Sequence, residues 1–168
     1  MKIYLATDHA GFELKEKIKK VIQELGYEIT DFGAEKFDSG DDYPDFISKA
    51  AAAVSNDPEN SKAIIFGGSG QAEAIVANKY KGVRCAVFYT PVAPHGAADV
   101  TGRQSSDHFE MIKLTREHNN ANVLSLGARF ISEEEATIAV KLWLTTDFKN
   151  DDRHLRRINK IKEIENRG

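Results

Sequence analysis

Short apolar, β-branched runs alternate with amphipathic stretches along the chain, and that alternation predicts its elements. Ile3 to Thr7 reads as a first strand. Phe12, Leu14, Ile18, Val21, Ile22 and Leu25 follow at the spacing of one helical face, and Gly26 is placed to end that helix. Tyr27 to Asp31 reads as a second strand, and Phe32 to Asp42, rich in Gly, Asp and Ser, as a loop. Pro44 and Asp45 open an alanine-rich helix that ends near Asn56. Ala63 to Phe66 is the third strand, followed by a glycine turn and a helix from about Gly70 to Tyr80. Val83 to Phe88 and Asn122 to Leu126 are the fourth and fifth strands, and helices run from about Ser132 to Thr145 and from Asp152 to Asn166.

Strand–helix alternation of this kind predicts a three-layer, Rossmann-like α/β fold. Its five-stranded parallel sheet carries helices on both faces and is joined by right-handed connections. Function in such a sheet is expected at the carboxyl ends of the strands. Thr90 to Ser106 has prolines, glycines and little periodicity, an unusually long connection of the kind that carries function or motion. No repeat or linker divides the chain, so residues 1–168 are expected to form one domain.

Composition narrows the classes. A formal net charge of -3 argues against a general nucleic-acid binder, although a few local cations suffice for a small anion. No apolar run is long enough to span a bilayer, and the first residues lack a signal peptide's apolar region. The single cysteine, Cys85, rules out an internal disulfide, and a cytoplasmic protein is the simplest expectation.

Four clusters are expected where this fold places its site. Asp8-His9 follows the first strand: it can polarise hydroxyls or bind an anion, or Asp8 can simply cap the first helix. Gly67-Gly68-Ser69-Gly70 follows the third strand, where N–H groups can converge on an oxyanion. Neither the Gly-Lys-Ser/Thr ending of a Walker loop nor a Gly-x-Gly-x-x-Gly fingerprint is present. Glu73, three residues past Gly70, could serve only the helix dipole. His118-Asn119-Asn120-Ala121-Asn122 precedes the fifth strand, with more amides than a turn requires. Arg129 follows that strand. Arg153 and Arg157 share a face of the last helix and suit a phosphate, or form a solvated face with Asp151 and Asp152.

Taken in order, Asp8-His9-Ala10-Gly11, Asp42-Tyr43-Pro44-Asp45, Gly67-Gly68-Ser69-Gly70, Ala77-Asn78-Lys79 and Gly82-Val83-Arg84 resemble the family of B-type ribose-5-phosphate and galactose-6-phosphate isomerases. So do His118 through Leu124, Gly127-Ala128-Arg129 and Arg153-His154. The resemblance covers nearly the whole chain. It implies an aldose–ketose isomerase working through an enediolate, with no cofactor and no metal. By that resemblance Glu73 is the base, Ser69 with the N–H groups of Gly68 and Gly70 holds the oxyanion, His118 opens the furanose ring and Asn119 helps hold the intermediate. Asp8 binds sugar hydroxyls, Tyr43 lines the sugar pocket, and His9, Arg129, Arg153 and Arg157 hold the phosphate. Two subunits contribute to each site in the family, which implies a homodimer or a dimer of dimers.

Two departures stand out. Many members carry a cysteine base at the end of the third strand, where this chain has Gly67. Glu73 matches a branch with a glutamate in the following helix turn, and Cys85 is expected to be a packing residue inside the fourth strand. The segment between Pro91 and His118 is longer than in typical members, which leaves the sugar open among tetrose, pentose and hexose phosphates. The fold also hosts nucleotide-binding modules and could host a non-catalytic sugar-phosphate sensor.

Overall fold

The computed structural model describes residues 1–167. Five strands, β1 (Lys2–Thr7), β2 (Glu28–Asp31), β3 (Ser61–Gly67), β4 (Cys85–Phe88) and β5 (Val123–Gly127), form one sheet in the order β2-β1-β3-β5-β4. Every neighbouring pair is parallel. Helices α1 (Phe12–Glu24), α2 (Tyr43–Asn56), α3 (Gln71–Ala77), α4 (Glu110–Glu117), α5 (Glu133–Thr145) and α6 (Asp152–Glu165) complete the chain.

The period-two alternation of each strand sorts its side chains between two cores. Ile3, Leu5, Ile64, Phe66, Leu124 and Leu126 pack with Ile18 and Ile22 of α1, Ile112 of α4 and Trp143 of α5. Ala6, Ala63, Ile65 and Val123 point the other way, onto Ile47, Ala50 and Val54 of α2 and Ala77 of α3. Each fully buried isoleucine contributes about 2 kcal/mol by its removal from water. Buried on both faces, the central strands read as continuous apolar runs, and β3 is buried from end to end.

Element ends differ from the sequence pattern for local reasons. β4 starts at Cys85 rather than Val83, because the Arg84 N–H donates to Asn122 Oδ1 at 2.8 Å instead of joining the ladder. The helix expected to reach Tyr80 stops at Ala77, where the bonds Lys79 N–H to Val76 O and Tyr80 N–H to Ala77 O tighten the chain into a turn. No helix or strand lies between Phe88 and Glu110, so the long connection is a structural fact. Among the described residues, no helix is long and apolar enough to cross a membrane.

Candidate active site

At the carboxyl edge, β1, β3 and β5 end side by side and deliver three loops to one place. The first holds Asp8 and His9. Asp8 is buried, and its Oδ1 accepts the Ala10 N–H at 2.9 Å, so it does cap the short 3-10 turn that follows. His9 donates both its backbone N–H, at 2.9 Å, and its ring Nδ1–H, at 2.7 Å, to Asp41 Oδ1. The hydrogen bond to Asp41 raises the His9 pKa, which favours the cationic ring that an anion needs. Asp41 was not legible as a site residue: it stands in an Asp-rich loop with nothing in its spacing to distinguish it. Asp8, His9 and Asp41 are also a group whose potential metal-ligand atoms all lie within 4.8 Å of one another.

The second loop is the glycine turn. Gly70 caps α3 with φ of 75°, a left-handed conformation that glycine adopts freely. Among the described residues no acceptor takes the N–H groups of Gly68, Ser69 or Gly70, so three donors are free at the start of a helix. Glu73 turns back beneath this loop. A Cβ at Gly67 would fall on the Glu73 carboxylate. The absent side chain at 67 is thus the space that the glutamate fills. Glu73 is 4% exposed, and its Oε2 has no hydrogen-bond partner. Burial raises its pKa, with the Asp8 charge adding to the shift against the opposing pull of its own backbone N–H. A desolvated, unpaired carboxylate is the state that a general base requires.

The third loop brings Arg129. Its backbone N–H donates to Gly68 O at 3.1 Å, and a Cβ on Gly68 would lie 3.4 Å from the guanidinium. Arg129 and His9 line the same cavity, of about 390 Å³, beside the glycine turn. Tyr43, half-buried at the start of α2, packs into the second core.

The remaining candidates are not with these. All strands are parallel, so what precedes β5 lies at the amino edge, and the structure corrects the expectation of four clusters at one edge. His118 closes α4, and the Arg84 guanidinium donates to the carbonyls of Asn119 and Asn120 from just ahead of β4. Val123–Gly127 separates this edge from the other by about 15 Å at roughly 3.3 Å per residue. His118 stacks on His154 with ring centroids 4.3 Å apart and 15° between planes. Burial lowers the His118 pKa, and neighbouring His154 and Arg153 push the same way. Its Nε2 is buried without a partner. Arg153 donates from Nε to His154 Nε2 at 3.1 Å, and it pairs with Asp151 at 3.6 Å, so part of the solvated-face reading holds as well. His118, Arg153, His154 and Arg157 line one cavity of about 300 Å³. Cys85 opens β4 instead of lying within it. It is half-buried, and desolvation pushes its thiol far above the ordinary range, which disqualifies it as a nucleophile or base at neutral pH.

A parallel sheet whose carboxyl edge offers a desolvated carboxylate, three free N–H groups and a histidine of raised pKa beside an arginine defines an α/β enzyme of the proton-transfer class, an aldose–ketose isomerase of phosphorylated sugars. The ribose/galactose isomerase family model matches residues 3–102 and 104–161. Ribose-5-phosphate isomerase B of Mycolicibacterium paratuberculosis is 38% identical over 165 residues, covering 98% of this chain and 92% of that one. Among solved structures, Mycoplasma genitalium ribose-5-phosphate isomerase B with bound ribulose-5-phosphate aligns with a TM-score of 0.86 at 32% identity, covering 99% and 97% of the two chains. The Thermotoga maritima ribose 5-phosphate isomerase aligns at 0.79 with 38% identity, covering 96% and 97%. The chain belongs to the ribose/galactose isomerase family.

Proposed function

We propose that the chain interconverts ribose 5-phosphate and ribulose 5-phosphate through an enediolate, as a cytoplasmic homodimer or dimer of dimers whose sites are shared between subunits. The observation that carries the chemistry is Glu73, a buried carboxylate with an unpartnered oxygen directly under a turn of free N–H groups. Glu73 takes the proton from C2 of the open aldose and returns it to C1, while the O2 hydroxyl proton passes to O1, so that the aldehyde becomes an alcohol and C2 a ketone. The charge that develops on the carbonyl oxygen meets the Ser69 hydroxyl and the N–H groups of Gly68 and Gly70, and one such donor lowers a barrier by about 3 kcal/mol. Asp8 binds sugar hydroxyls, Tyr43 lines the sugar pocket, and His9 and Arg129 face the phosphate. No cofactor takes part.

The other half of the chemistry comes from a second copy. His118 and Asn119 open the ring and hold the intermediate, and Arg153 and Arg157 complete the phosphate grip. Their place at the amino edge, a strand's length from Glu73, supports the shared site, because one copy cannot close that gap. A twofold axis pairs each edge with the complementary edge of its neighbour and completes two sites at once. A lowered His118 pKa leaves the imidazole neutral at physiological pH, able to accept a hydroxyl proton as the ring opens.

The test is a panel of phosphorylated aldoses and ketoses assayed for interconversion, run on the wild type, Glu73→Gln and Cys85→Ser. The reading requires turnover of ribose 5-phosphate, its loss in Glu73→Gln and its survival in Cys85→Ser. Turnover in Glu73→Gln together with inactivation by thiol reagents would assign the base to the cysteine and sink it.

A further inference from the structure

The segment between β4 and α4 is irregular but firmly tied down. Val92 N–H donates to His108 O at 2.8 Å, which closes its base. Farther out, Ala98 N–H donates to Arg103 O at 2.7 Å and Gly102 N–H to Asp99 O at 3.1 Å, so residues 98–103 make one tight loop. Asp99 pins that loop from inside. Its Oδ1 takes the Thr101 N–H and hydroxyl, at 2.9 and 2.6 Å, and its Oδ2 takes Arg103 Nε at 3.1 Å. Arg103 then reaches across to Glu110 and Glu117 of α4. Glu117 immediately precedes His118 and also pairs with Lys149 at 2.7 Å. The loop is therefore tethered to the helix end that presents the ring-opening histidine.

This tether sets Ala98, Asp99 and Val100 as one wall of the cavity of about 300 Å³ whose other walls are His118, Arg153, His154 and Arg157. Both Asp99 carboxylate oxygens accept hydrogen bonds from within their own loop. At its rim stands Val100, 78% exposed, more than any other large apolar side chain among the described residues.

We propose that Val100 is a specificity-determining residue that favours five-carbon over six-carbon sugar phosphates. The inference rests on the reading given under Proposed function. Two points of the substrate are fixed there: the phosphate, by Arg153 and Arg157, and the reacting carbons, by Glu73 of the second copy. A chain one carbon longer between fixed ends must bow sideways. On the His118 side the bow meets Val100, whose position Asp99 and Arg103 hold. An extra methylene against an apolar wall changes efficiency by about 10- to 200-fold, the range in which a single valine can decide between homologues.

The experiment compares kcat/KM for ribose 5-phosphate and for a six-carbon aldose 6-phosphate of matching configuration at C2 to C4. Wild type, Val100→Ala and Val100→Phe are assayed, with oligomeric state checked for each. Val100 is exposed within its own chain, so neither substitution disturbs that chain's core, and the check of oligomeric state covers any contact with the second copy. The six-to-five ratio should rise about tenfold in Val100→Ala and fall in Val100→Phe. If the wild-type rate on the six-carbon sugar is undetectable, its emergence in Val100→Ala is the expected result and its continued absence counts against the proposal. A ratio that stays within about twofold in both variants, on an enzyme active toward ribose 5-phosphate, overturns the proposal alone. A ratio that moves only with a change of oligomeric state assigns Val100 to assembly and also overturns it. Failure of the wild type to isomerise any sugar phosphate overturns the underlying reading.

Discussion

A carboxylate works as a base only while ionised, and Glu73 sits where ionisation is unfavourable. Its pKa is raised by burial, so kcat/KM should fall on acidification through a limb lying above the ordinary carboxylate range. The same shift predicts a stability effect, with its sign fixed by linkage. The folded state binds the Glu73 proton more tightly than the unfolded state does, so stability falls as pH rises from the unfolded pKa through the folded one. Glu73→Gln should therefore raise the melting temperature at neutral pH and lose that advantage once the pH falls below the ordinary carboxylate range. It should also cut turnover by roughly two orders of magnitude or more while sugar-phosphate binding persists. Thermal unfolding at two pH values, beside a steady-state assay, checks both halves. Arg153 acts on binding instead. Arg153→Ala should raise KM for the phosphorylated sugar about tenfold or more, with a smaller fall in kcat because a loosened phosphate also misplaces the reacting carbons. Unchanged kinetics would return Arg153 to its surface pair with Asp151.

At the scale of elements, the start of α5 offers a test of stability. Ser132 accepts the Glu135 N–H at 3.2 Å while the Glu135 carboxylate accepts the Ser132 N–H at 2.7 Å, a reciprocal cap whose neighbours Ile131 and Glu133 line the same cavity as His9 and Arg129. Ser132→Ala should lower stability by about 1 kcal/mol, as chemical denaturation would show. The strands were visible in the sequence, because β-branched runs buried on both faces leave a continuous apolar signature, and so was the start of this helix near Ser132. So was the carboxyl-edge half of the site, since Asp8 and Gly67 to Gly70 follow strands whose direction the pattern sets. The edge on which His118 lies was misplaced, because a cluster standing before a strand was grouped with clusters standing after one. Asp41 and the Arg103 tether stayed hidden for another reason: their partners are brought together by loops, and loops have no period. Gly67 was legible only as the lack of a cysteine. That the Glu73 carboxylate occupies the vacated space needed three dimensions.

For the whole molecule, two half-sites on opposite edges of one sheet make a prediction that no single-chain site shares. Glu73→Gln damages one half and His118→Ala the other, so each variant alone should be nearly inactive. Unfolded together and refolded as a mixture, half of the dimers pair unlike chains, and each such dimer carries one site built entirely from intact halves. Activity should return to about a quarter of the wild-type value by this count. No recovery, with dimers shown to form and exchange, would place Glu73 and His118 in the same subunit's site.

The overlap between Glu73 and the space above Gly67 also bears on descent. In this structure the Glu73 carboxylate and any side chain at position 67 claim one small volume, so a cysteine introduced there would have to displace the glutamate's flexible end. A change of base at this edge is then a coupled move of two positions, and the glycine at 67 marks which of the two arrangements this chain holds.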